Sequence, residues 1–445
     1  MASTAIEAPG AARRAEVSVR RAAPASVALV RAATLLCLAL IGDSLAFKFF
    51  QGGTLRGVDF LLIGLAAGFL LLLALAPAAR RRWSVCLVVL CLTTALFELA
   101  VTLAAPAGFP WHVWPPHLSR EMTPVDLVGV GPKARFTTNS MGIRGPELSE
   151  QDRLRILCVG GSTTECIYLD DDKTWAKLLG DRLASSGPVW VGNAGRSGLM
   201  ACDHRLYLEH APEAEQADIW IVLLGFNDLH LQLQGAYEWS KAHSWERTFV
   251  YRRPGLSGAW RRPFHRNLFL VQGLDNACHL IERRCLGLGN GAFQDAHADW
   301  TRQKRKERAA ATITDDLPDL APFVAEYRRQ IQQLIELSRS RGKRLVLLTQ
   351  PTLYAEPMPP ELDALTLGGR LKDGRFLSNR GRCQAMALYN EALRAEAAAH
   401  GVLCVDLARL LPASTDMFYD DCHFNEGGAR AVADQLAARL PAVRE

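Results

Sequence analysis

The stretch on which the reading turns is Arg155-Ile156-Leu157-Cys158-Val159-Gly160-Gly161-Ser162-Thr163-Thr164-Glu165. A short apolar run stops on two glycines and a serine. Such a run, closed by Gly-Gly, predicts a buried strand that ends in a tight turn and passes into a helix. Three readings fit the turn. Backbone N–H groups cradle a phosphate, or a serine hydroxyl is held up as a nucleophile, or Ser162 only caps the helix. A P-loop requires a lysine after its glycines and a dinucleotide fingerprint requires G-x-G-x-x-G, and Gly-Gly-Ser-Thr-Thr-Glu has neither. The phosphate readings close; the other two stay open on this motif alone.

Working outward, short runs rich in Val, Ile and Leu recur at 189–191, 219–224, 344–349 and 402–405. Between them lie amphipathic patterns at 174–183, 323–341, 385–400 and 426–440. Strands buried on both faces, alternating with helices, predict an α/β domain with a central parallel sheet over residues 151–442. Ligands bind at the carboxyl ends of such strands, so the loops after them are the place to look for chemistry. Residues 106–150 are proline-rich and read as a connector. Residues 229–320 show no clear strand, and at that length they read as a helical insertion beside the site. The basic run Arg302-Gln-Lys-Arg-Lys-Glu-Arg within it reads as a solvated helix face, with anionic lipid or glycan contact as the functional alternative.

The first 105 residues differ from the rest. Residues 1–26 read as a tail, and residues 27–47, 60–79 and 84–105 are apolar runs of bilayer-spanning length. The first is the weakest, because Asp43 lies inside it. Arg13, Arg14, Arg20 and Arg21 precede the first run, and Arg80, Arg81 and Arg82 lie between the second and third. Basic residues stay on the cytoplasmic side, which predicts a multi-pass membrane region at 27–105 with everything after it extracytoplasmic. A net charge of +5 on 445 residues does not call for a nucleic-acid partner. The 11 cysteines form no tight framework, although Cys278 and Cys285 could pair across a short loop.

The remaining strand ends carry their own motifs. Asn193-Ala-Gly-Arg-Ser-Gly198 follows the second strand pattern and Gly225-Phe-Asn-Asp228 the third. Asp420-Asp-Cys-His423 precedes the last helix. With Gly160-Gly-Ser-Thr163, these four blocks in this order resemble the SGNH (GDSL-type) hydrolase family over roughly residues 150–442, the insertion excepted. Gly161 stands where the family's name has Asp. The resemblance implies a three-layer αβα sandwich of flavodoxin-like type. It implies Ser162, Asp420 and His423 as the catalytic set, and Ser162, Gly198 and Asn227 as the oxyanion hole. The chemistry is consistent with those roles. A serine needs a base to take its proton, histidine serves near neutral pH, and a carboxylate fixes its tautomer. Donors must already point at the oxygen that becomes anionic.

Rival readings stand beside these. Asp421 competes as the orienting carboxylate, and His423 could be a core histidine. Asp420, Cys422 and His423 could be metal ligands, although no fourth is evident. Asp228 reads as a turn brace. His204, His230 and His265 lack a partner by sequence, but the first two follow strand ends and could line the pocket. Thr138-Asn-Ser-Met-Gly-Ile-Arg144-Gly resembles a segment of membrane-linked relatives, and Arg144 reads as a structural ion-pair partner. The resemblance implies no cofactor and no metal. It implies a serine esterase that removes acyl groups (acetyl foremost); with the membrane region read at 27–105, the enzyme is anchored in the lipid bilayer and its substrate is a glycan or lipid-linked molecule of the cell envelope. An O-acyltransferase using the same serine, partnered by a membrane acyl-donor protein, is the alternative; a non-catalytic glycan-binding scaffold is the third.

Overall fold

The computed structural model describes residues 116–235 and 301–440, together with Val113, Trp114 and a few isolated positions between 28 and 96. All but those isolated positions fall in one compact unit. Apart from those isolated positions, the three apolar runs at 27–105 lie outside the described residues, as do most of the insertion, His265, Cys278 and Cys285. Among the described residues no helix is long and apolar enough to cross a membrane.

A five-stranded sheet organises the unit. Its strands are β3 (Leu154–Gly160), β4 (Val189–Gly195), β5 (Ile219–Leu223), β7 (Arg344–Leu348) and β9 (Leu403–Val405), in the order β4-β3-β5-β7-β9. Every pairing is parallel. The helices between them include α1 (Ser162–Glu165), α2 (Trp175–Leu183), α3 (Ala201–His210), α4 (Phe226–Leu233), α5 (Ala321–Ser340), α6 (Asn379–Ala399) and α7 (Glu426–Arg439). Side chains alternate across a strand, and both faces here are apolar. Leu157, Val159, Trp220, Val222 and Leu347 join one core with Tyr207, Tyr327, Leu334, Tyr389 and Leu393 of α3, α5 and α6. Ile156, Cys158, Ile221, Leu223 and Val346 join another with Trp175, Leu179, Val432 and Leu436 of α2 and α7. The parallel α/β sheet is therefore covered on both faces, as its unbroken Val, Ile and Leu runs predict.

Boundaries differ where polar residues end a pattern before the backbone ends. β4 continues four residues past 191, because Gly192-Asn-Ala-Gly195 still pairs with Leu157–Gly160. α6 starts six residues before 385, where the Ser378 hydroxyl accepts from Gly381 N–H at 3.1 Å; the buried Arg382 breaks the amphipathic pattern there. The stretch read as a connector holds an antiparallel pair, β1 (Ser119–Met122) and β2 (Ala134–Thr137), and sends Val113, Trp114, Phe136 and Ile143 into the core. Within 229–320, residues 301–309 are helical. β6 (Ile313–Thr314) pairs with β8 (Phe376–Leu377), a short strand that the composition did not signal.

Register sets the site. Gly160 is level with Gly195 on one side and Leu223 on the other, and Leu223 is level with Leu348. The loops that follow these strands leave the same sheet edge. The strand order reverses between β3 and its neighbours, the position at which open α/β sheets form their binding crevice.

Candidate active site

Ser162 is the first residue of α1, directly after β3. Gly161 caps that short helix, and its carbonyl accepts from the Thr164 and Glu165 N–H groups at 3.1 and 3.0 Å. The serine N–H thus lies at a helix start, where backbone donors have no intrahelical partner. Ser162 Oγ lies 2.6 Å from His423 Nε2, across 261 residues of chain.

His423 sits in the loop before α7, whose start is capped by the Asn425 side chain accepting from Gly428 N–H. Its other ring nitrogen, Nδ1, lies 2.7 and 2.8 Å from the two Asp420 carboxylate oxygens. The same carboxylate accepts from the backbone N–H groups of Cys422 and His423 at 3.1 and 2.9 Å, which locks its orientation. The Tyr419 ring stacks on the imidazole with centroids 5.5 Å apart. Burial disfavours the charged imidazole, but the Asp420 carboxylate outweighs it and holds the His423 pKa well above its ordinary value. Burial likewise opposes the Asp420 charge, yet the imidazole and the backbone bonds keep that carboxyl below its ordinary range.

Asp421 faces elsewhere. Its carboxylate accepts from the Tyr354 hydroxyl and from the N–H groups of Leu367 and Gly368, at 2.6 to 2.9 Å. Its neighbour Arg382 pairs with Asp363. It holds the 363–369 loop and does not orient the imidazole.

The oxyanion candidates converge on the same edge. Asn227 Nδ2 donates to Leu199 O at 2.8 Å, next to Gly198. The amide also approaches Gly161 so closely that a Cβ built there would lie 2.6 Å from Nδ2. Gly198 has φ +79°, and a Cβ there would meet nothing within 4 Å. Conformation, not space, selects glycine at that position. Ser162, Asn227, Leu199, Phe226, His204 and Gln350 line one small cavity.

The other sequence candidates separate. His204 is buried, its Nδ1 unpartnered, and desolvation pushes its pKa down to about 3, so it is a neutral wall of the cavity. His230 stacks on Phe226 and lies 2.7 Å from Gln234 Nε2, on a neighbouring cavity without Ser162. Asp228 accepts from Ala201 N–H at 3.1 Å, the brace it was read to be. Arg144 is a buried ion-pair partner of Asp171 at 2.8 Å. It also donates to Glu165 O, Cys166 O and Leu169 O, and lies over the Phe136 ring. In the basic run, Lys304 pairs with Glu307 and Arg308 with Asp363.

Sequence reasoning missed two polar supports. Glu165 is buried and accepts from Ser197. Gln350 is buried beyond the end of β7, near Thr163. The signal for Gln350 was available, since it is a polar residue just past a strand's carboxyl end. Glu165 gave none, because an acidic residue in a first helical turn ordinarily faces solvent.

Among the described residues, the donor atoms of Asp420, Cys422 and His423 lie within 4.8 Å of one another. The imidazole and carboxylate already bond each other, and burial pushes the Cys422 thiol up to about 12. These residues fit a proton relay better than a metal.

No curated protein matches the chain. Among solved structures it is similar to an alpha/beta hydrolase enzyme from the metagenome of Lake Arreo, Spain, at 15% identity and TM-score 0.36, covering 64% of this chain and 94% of that one. It is also similar to an acetylxylan esterase from Geobacillus stearothermophilus, at 13% identity and TM-score 0.35, covering 65% and 95%. The family model described as GDSL-like lipase/acylhydrolase matches residues 158–431, more than half of the chain and all four motif blocks from Cys158 onward. The chain belongs to the GDSL-like lipase/acylhydrolase family and is an ester-hydrolysing serine hydrolase.

Proposed function

We infer that Ser162 is the nucleophile, His423 its base and Asp420 the orienting carboxylate. The observation that carries this reading is the continuous relay from Ser162 Oγ through His423 to Asp420, with contacts of 2.6 and 2.7 Å. His423 Nε2 takes the hydroxyl proton as Oγ bonds to the ester carbonyl carbon. The Ser162 and Gly198 N–H groups and the Asn227 amide receive the oxyanion. The imidazolium then returns the proton to the departing alkoxide, leaving acyl-Ser162. Water repeats the sequence and releases the acid.

The acyl group is short, acetyl foremost; Leu199, Phe226 and His204 line the cavity beside Ser162. The enzyme is anchored in the cytoplasmic membrane by the apolar runs at 27–105. Its catalytic unit faces outward, and its substrate is an acylated glycan or lipid-linked molecule of the envelope. The three runs and the placement of Arg80, Arg81 and Arg82 support that topology.

The test is labelling of the full chain with a fluorophosphonate, mapping of the modified residue, and product analysis on an acetylated glycan. Labelling at Ser162, with release of free acetate, supports the reading. Acetate appearing only on an added sugar acceptor identifies an acyltransferase. Unimpaired hydrolysis by Ser162→Ala removes the mechanism.

A further inference from the structure

The turn between β4 and α3, residues 196–200, contains Gly198 but no member of the relay. It is nevertheless pinned at almost every position. Arg196 N–H donates to Gly160 O at 3.0 Å, and Met200 N–H to the Asp203 carboxylate at 3.0 Å. Leu199 O accepts from Asn227. Ser197, immediately before Gly198, gives both its N–H and its hydroxyl to one Glu165 carboxylate oxygen, the N–H at 3.2 Å. Ala201, three residues after Gly198, gives its N–H to Asp228 at 3.1 Å. None of these bonds uses the Gly198 N–H.

Glu165 and Asp228 are 1% and 2% exposed. A buried carboxylate is costly unless it is hydrogen-bonded, and a turn on a sheet edge can usually take water instead. Glu165 holds the turn at Ser197, and Asp228 holds the first residue of α3 just beyond it. Their positions in the chain give the purpose. Glu165 ends α1, the helix that begins with Ser162, and Asp228 is adjacent to Asn227 in α4. Each therefore links the Gly198 turn to the segment carrying another oxyanion donor.

We propose that Glu165 and Asp228 are positioning residues. Together they hold the 196–200 turn so that the Gly198 N–H stays in register with the Ser162 N–H and the Asn227 amide. This rests on the serine-nucleophile reading above. Neither carboxylate touches a reacting atom, so both act by fixing a donor before charge develops. Preorganised donors of this kind lose their effect when misplaced by about 1 Å.

The test compares Glu165→Ala, Asp228→Ala, Glu165→Gln and Asp228→Asn in the full chain, each assayed well below its own Tm. p-Nitrophenyl acetate kinetics and fluorophosphonate labelling rates are the readouts. The alanine variants should lose about 10²-fold in kcat with KM little changed, the usual consequence of losing one oxyanion donor. Labelling should slow in parallel, since phosphonylation builds the same negative oxygen. The amide variants keep an acceptor oxygen and should recover to within about tenfold of wild type, because a hydrogen-bond acceptor rather than a charge is needed. Where an alanine variant does not fold, Ser197→Ala and Asp228→Ser carry the test, each with lowered kcat and unchanged KM. Folded variants with wild-type kcat, or amide variants as impaired as the alanine ones, overturn the proposal. A wild-type chain that neither turns over nor labels at Ser162 overturns the nucleophile reading instead.

Discussion

Gly161→Ala tests the oxyanion geometry with a single methyl group. The backbone at 161 is extended, with φ −76°, so alanine is conformationally allowed there. The obstacle is space: a Cβ at 161 falls 2.6 Å from Asn227 Nδ2 and 3.7 Å from Leu199 O. Non-bonded heavy atoms rest about 3.5 Å apart, so the amide must retreat by roughly 1 Å. Its Nδ2 is held by the 2.8 Å bond to Leu199 O, and its Cα lies in the first turn of α4. Retreat therefore rotates the amide off the position it shares with Ser162 and Gly198. The expected loss is that of one oxyanion donor, about 10²–10³ in kcat or roughly 3–4 kcal/mol, with KM little changed. Initial rates on p-nitrophenyl acetate measure it, with Asn227→Ala and the double variant completing a cycle. If the methyl acts only through the amide, the double variant is no slower than Asn227→Ala alone. A folded Gly161→Ala with wild-type kcat, or a double variant whose losses multiply, refutes the reasoning.

Two further outcomes follow from the charged groups. Asp420 stabilises the imidazolium against burial, so His423 becomes a free base only at a pH above the usual histidine range. The acid limb of kcat/KM should lie correspondingly high, and Asp420→Asn should shift it to lower pH while reducing kcat; a limb that stays in place shows that another charge sets it. Arg144→Met leaves three loop carbonyls without this donor and removes one partner of the Asp171 carboxylate, which keeps the Thr137 N–H and hydroxyl. Removing one partner of a buried pair costs about 3–5 kcal/mol, and since Asp171 is 20% exposed the low end is expected in urea unfolding. A loss below about 1 kcal/mol would mean that the loop finds other partners.

The parallel sheet was legible because its strands are buried on both faces and read as unbroken aliphatic runs. Ser162, Asn227 and His423 could be singled out because each stands in a motif block just past a strand's end or before the last helix, positions that such an architecture brings to one edge. The extension of β4 through Gly192-Asn-Ala-Gly195 was not legible, since its pairing with β3 comes from the partner strand and not from local propensity. Nor was the part played by residues 113–150. Composition marked them as connector, while Trp114 and Phe136 pack edge to face at 5.0 Å and join the core. Long-range packing overrides a proline-rich composition there.

The supports of the site were hidden for a different reason. Periodicity treats a charged residue as a mark of the solvent face, yet Glu165, Asp228, Arg144 and Arg382 are all buried. Each bonds a backbone group or countercharge that no local pattern connects to it. Arg144 reaches Leu169, Glu165 reaches Ser197, Asp228 reaches Ala201, and Arg382 reaches Asp363. The same blindness concealed the meaning of Gly161. Against the family pattern it was only a departure, glycine where the name has aspartate. In the fold it is the space that the Asn227 amide requires, so residues 161 and 227 constrain each other across the switch between β3 and β5. In this chain a side chain at 161 must therefore displace the Asn227 amide. The glycine and the asparagine, 66 positions apart in the chain, meet at this one close approach.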